Sequence, residues 1–94
     1  MFQYVKIIKK KVYYNDFISI KNAYVICDQL TYNGEQQYAT NIIVSLNGNI
    51  LRNNIDYIVS ENNGGIDPDN YTFKLMGIGK YKGKITITYA INNW

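Results

Sequence analysis

The chain contains no histidine and only one cysteine, and these two shortages exclude more functions than any motif in it supplies. Histidine is the commonest general base, proton shuttle and metal ligand, so the usual catalytic triads and zinc sites lose their central residue. The lone Cys27 rules out an internal disulfide. It stands in the apolar run Tyr-Val-Ile-Cys, where the expected role is a small buried hydrophobe rather than a nucleophile. No segment approaches the roughly 18 consecutive apolar residues needed to cross a bilayer, so membrane insertion is not expected. Ala, Leu and Glu, which favour helices, are scarce, and there is a single proline.

What is abundant points to β-structure. Ten tyrosines and many Ile and Val suit strands, and the frequent Asn suits the turns between them. Ninety-four residues make one domain, large enough for a modest core without a metal or disulfide. The net charge of +3 is mild, and the seven acidic residues are scattered along the chain among the ten basic ones. By charge alone this is not a dedicated nucleic-acid binder.

Alternation is clearest from Leu46 to Ile91. Tyr71, Phe73 and Leu75 share one strand face and Thr72, Lys74 and Met76 the other, and Ile85, Ile87, Tyr89 and Ile91 repeat the pattern. Gly77, Gly79 and Gly83 surround Tyr81 and predict a hairpin turn with positive φ. Upstream, Phe17 to Cys27 predicts one or two strands broken near Lys21 and Asn22, and Ile42, Val44 and Leu46 mark a central strand whose second face is also partly apolar. Gln29 to Thr40, with its Asn33-Gly34 pair, is expected to be a loop or tight hairpin. Short strands also fit Ile50 to Leu51 and Asp56 to Ser60, and Asn62 to Asn70 is a long break. Seven or so strands at this spacing predict an all-β, two-sheet Greek-key sandwich.

Four segments in order carry a resemblance: LTYNGEQ, VSLNGNIL, NIDYIVSENN and GIGKYKGKITITYAI. Residues from about 23 to 91 are similar to the immunoglobulin-like repeats of bacterial surface proteins. The resemblance implies an immunoglobulin-like β-sandwich over residues 23–94 and a role in display, spacing or adhesion, and it brings no catalytic residues. The residues have physical reasons to be there. Tyr57 and Tyr81 have rings that close the core edge while the hydroxyls stay wet, and Asp56 has a carboxylate to accept backbone N–H groups of the preceding turn.

Residues 1–22 are left over as a basic arm or extra strands. Lys6, Lys9, Lys10 and Lys11, interleaved with Tyr4, Tyr13 and Tyr14, are the candidate partner-binding residues. A solvated edge protected by lysine explains the same pattern. An acidic protein surface is the expected partner, and four charges are few for nucleic acid. No catalytic, cofactor-binding or metal-ligating residue is expected: Asp67, Asp69, Asn70 and Glu61 match no calcium-loop spacing, and the Gly series leads into a strand rather than a helix N-terminus.

Because the first residues lack the order of a secretion signal, the expected setting is a producing cytoplasm. A display fold in that setting suggests a virus particle. The expectation is a non-enzymatic auxiliary or decoration protein of a bacteriophage virion, bound to capsid or tail subunits. The alternatives are a single repeat of a bacterial cell-surface adhesin or cell-wall protein, and a small intracellular inhibitor. Its tyrosines and asparagines are also compatible with surface glycan contacts.

Overall fold

The computed structural model describes residues 17–93, so the arm residues Tyr4 to Tyr14 lie outside the described residues. All regular structure in the described residues is β, with no helix: β1 (Ile18–Ser19), β2 (Tyr24–Ile26), β3 (Leu30–Thr31), β4 (Ile43–Leu46), β5 (Asn49–Ile50), β6 (Tyr57–Ser60), β7 (Asp69–Gly77), β8 (Tyr81–Lys82) and β9 (Lys84–Asn92). A four-stranded sheet has the order β3-β9-β7-β6, a three-stranded sheet β2-β4-β5, and β1 pairs with β8 in a small third one. Several sheets around one core fit a β-sandwich.

The long hairpin β7–β9 is the spine, in register from Asp69 opposite Ile91 to Met76 opposite Lys84. Its alternation is the one the sequence predicts: Phe73, Leu75, Tyr89 and Ile91 are buried, whereas Thr72, Thr86 and Thr88 face solvent. Phe73 packs against Tyr89 with ring centroids 5.9 Å apart, in the tilted geometry that aromatic quadrupoles favour. Val44, Leu46 and Leu51 join this cluster from the side of the three-stranded sheet. The Leu51 N–H donates to the Val44 carbonyl at 2.8 Å, just past β5.

Two details differ from the sequence expectation. Leu30–Thr31, inside the expected loop, is a strand running parallel to β9; its two residues are too few to show a period. The loop's Asn33-Gly34 pair does turn, with Gly34 at φ 82°. In the hairpin, Gly79 and Gly83 take positive φ but Gly77 does not. Gly77 is instead required by proximity, since a Cβ there would sit 2.7 Å from the backbone nitrogen of Lys82.

Residues 17–22 belong to the packed body. The N–H of Ile18 donates to the Lys80 carbonyl and that of Ile20 to the Lys82 carbonyl, both at 2.9 Å. These bonds seat Ile20 fully buried in the core.

Candidate protein-binding surface

Among the described residues, the three-stranded sheet has a core on one side only. Val25, Val44 and Leu46 point toward it, so the intervening positions must point out. Those positions are Tyr24, Ile26, Ile43, Ser45 and Ile50, and none carries a charge. Register places Tyr24, Ser45 and Ile50 in one row across the strands, with Ile26 opposite Ile43 in the next. Tyr24 is 68% exposed, Ile50 66%, and Ile26 and Ile43 45% each. A contiguous apolar patch of this kind marks an interaction surface more often than singly scattered apolar residues do. The outer face of the four-stranded sheet is mixed: Asn70, Thr72, Lys74, Thr86 and Thr88 stand there with Met76 and its partner Ile58. Lys74 there forms an exposed ion pair with Glu61 at 3.4 Å, a contact of little energetic weight.

The candidate partner-binding residues Tyr4, Lys6, Lys9, Lys10, Lys11, Tyr13 and Tyr14 lie outside the described residues. Tyr57 and Tyr81 are buried in the core cluster. Asp56 does what the turn chemistry predicts: its Oδ2 accepts the Arg52 backbone N–H at 2.8 Å and the Arg52 Nε–H at 3.3 Å. These contacts, led by the backbone hydrogen bond, hold its carboxyl below the usual range against the opposing effect of burial. The group is a turn anchor.

Cys27, just past β2, is half-buried and lines an open groove of 360 Å³ with Asp28, Asn70, Thr88, Tyr89 and Asn92. Burial, with Asp28 beside it, pushes the thiol's pKa up, which lowers its thiolate fraction and reactivity. Asp28 itself accepts hydrogen bonds from Asn41 Nδ2 at 2.6 Å and Thr40 Oγ1 at 3.3 Å. The groove is therefore lined by amides, hydroxyls, the hydrogen-bonded Asp28 carboxylate and one subdued thiol. Asp67 and Asp69 serve their own loop: the Asp67 carbonyl accepts from the Tyr71 hydroxyl, and Asp69 Oδ1 accepts the Asn70 N–H, both at 2.7 Å. Among the described residues no three Cys, Asp or Glu side chains gather as a metal site would require.

Known protein families, curated protein sequences and solved structures contain no match to this chain. The apolar sheet face was not singled out in the sequence, although a signal for it is present. Ala23 to Cys27 is apolar at successive positions, a pattern that fits a strand covered on both faces. Among the described residues, that strand is covered on only one.

Proposed function

We propose that the chain is a non-enzymatic structural or binding protein that works through a protein–protein surface. The observation that carries this reading is the uncharged outward face formed by Tyr24, Ile26, Ile43 and Ile50. Exposed apolar side chains on a folded sheet gain free energy when a partner removes them from water, at about 25 cal/mol per Å² buried. Sheet faces of this sort bind by area and shape rather than by chemistry.

The narrower form of the reading is an auxiliary or decoration protein on the capsid or tail of a bacteriophage. Its support is the resemblance of residues 23–91 to display units, together with an exposed apolar face for neighbouring subunits to cover. The finer immunoglobulin-like topology draws support from strands distant in sequence that lie side by side, such as β3 and β9 within the four-stranded sheet. In this reading the basic residues Lys6 to Lys11 add charge complementary to an acidic partner. Purified particles should then contain the protein in fixed proportion to capsid or tail subunits. Tyr24→Ser with Ile50→Ser should remove it from the particle while leaving it folded. Unchanged incorporation would assign binding to another surface.

One observation favours a single unit of a bacterial surface adhesin as the second reading. Ile18 lies beside Tyr81 at one end of the hairpin, while β9 ends at Asn92 at the other. Residues 17–93 thus enter at one end of the hairpin and leave at the other, which suits units strung in series, and a long reading frame with repeated copies would decide for it.

A further inference from the structure

The charges that are scattered along the sequence are sorted by the fold. Met76 pairs with Lys84 at one end of the β7–β9 hairpin and Asp69 with Ile91 at the other, a separation of about 23 Å over seven strand steps. Lys80, Lys82 and Lys84 cluster at the first pole, and Lys21 joins them because its neighbour Ile20 bonds the Lys82 carbonyl. Arg52 and Asp56 sit at the same pole but neutralise each other. At the opposite pole are Asp67 and Asp69, with Asp28 lining the groove beside Asn92 and Glu35 in the loop that Tyr32 ties to the Asn92 carbonyl. Lys74 and Glu61 pair with each other. Among the described residues, four exposed lysines therefore face one way and four exposed carboxylates the other.

Apolar shape follows the same polarity. At the lysine pole an open groove of 410 Å³ is lined by Phe17, Met76, Gly77, Tyr81, Lys82 and Lys84. At the carboxylate pole Ile66 projects from its loop, 44% exposed, immediately before Asp67-Pro68-Asp69. That loop is held in shape by the Tyr71 hydroxyl on the Asp67 carbonyl and by the two hydrogen bonds between Gly65 and Gln37. Pre-organisation of this kind lowers the ordering cost of binding.

We infer that a second copy of this chain occupies the groove, head to tail: Ile66 of one copy enters it, and Asp67 and Asp69 meet Lys82 and Lys84. The contact is heterologous, so it propagates into a ring or filament rather than closing as a two-fold dimer. It uses neither the apolar sheet face nor any virion subunit, so it stands or falls independently of the function proposed above.

The full-length chain is the sample, and the measurement is weight-average mass by sedimentation against concentration at about 0.02 M and about 0.5 M salt, which differ severalfold in screening length. Self-association should appear at low salt and weaken at least about tenfold at high salt. Lys82→Glu with Lys84→Glu, and separately Asp67→Lys with Asp69→Lys, should each abolish it. An equimolar mixture of the two reversed variants should restore association, because one native pole of each remains. Ile66→Ser, at an exposed site, should weaken association without charge reversal, and Tyr24→Ser should leave it intact. A wild-type chain that stays at one protomer mass at low salt and millimolar concentration overturns the inference. So does association that both reversals leave unchanged.

Discussion

Asn62 holds Ala39 by both of that residue's backbone polar groups: Oδ1 accepts the Ala39 N–H at 3.1 Å and Nδ2 donates to the Ala39 carbonyl at 3.0 Å. Ala39 is buried, so its two polar groups depend on partners of this kind. The same Oδ1 accepts the Tyr89 hydroxyl at 3.4 Å, which ties this clamp to the core. Next to it, the Asn63 carbonyl accepts Gln36 Nε2 at 2.7 Å. The two adjacent asparagines thus stitch the segment before β4 to the segment after β6.

Asn62→Ala removes the amide that pairs with both the Ala39 N–H and carbonyl and should destabilise the fold by about 2 kcal/mol. Urea unfolding at neutral pH measures this as a lower midpoint. A change of under about 0.5 kcal/mol would mean that water replaces the amide.

Two glycines should respond differently to the same substitution. At Gly77 a Cβ meets the Lys82 backbone at 2.7 Å, whereas at Gly48 it meets nothing within 4 Å and only the φ of 82° opposes it. Gly77→Ala should cost about 2 kcal/mol or more by forcing β7 and β8 apart. Gly48→Ala should cost about 1 kcal/mol, the penalty of an L-residue in the left-handed region. Thermal midpoints of the two variants give the comparison directly.

Asp56 makes stability depend on acid. Its folded pKa lies below the ordinary 3.8, so the unfolded chain takes up the proton first. The contribution is complete above the ordinary value and is lost as pH falls through the depressed one. Asp56→Asn should flatten that part of the stability profile and also lower stability at neutral pH. Urea midpoints collected from neutral pH down into strong acid test both effects.

Cys27 should alkylate slowly. Burial, and then the Asp28 charge, raise its thiol pKa, so at mildly alkaline pH the iodoacetamide rate should fall below that of the unfolded chain. Asp28→Asn removes the repulsion and should bring the rate part of the way back. A rate equal to that of the unfolded chain would show a thiol fully open to solvent.

The spine of the fold was legible in the sequence because strand alternation is a local property. Phe73 and Leu75 lie two residues apart and must share a face wherever the strand goes. Asp56 was legible for a similar reason, since its partner Arg52 is four residues away. Leu30–Thr31 was not legible, because only pairing with Ile91 and Asn92, some sixty residues on, makes it a strand. The exposed Tyr24, Ile26, Ile43 and Ile50 escaped notice because apolar residues in a strand read as core until the sheets are counted.

By itself the sequence determined the all-β character of the described residues, the buried faces of the long hairpin and the turn that closes it, all consequences of side-chain period and turn chemistry over a few residues. The tertiary structure decided which face of the three-stranded sheet packs on the core and where the charges of the described residues gather. Pairing between segments distant in sequence brings far positions to a common end: the parallel β1–β8 pair sets Lys21 near Lys82, and the antiparallel bridge between Gln37 and Gly65 brings Glu35 and Asp67 to the opposite pole. Charges that are mixed along the chain thus become opposed poles.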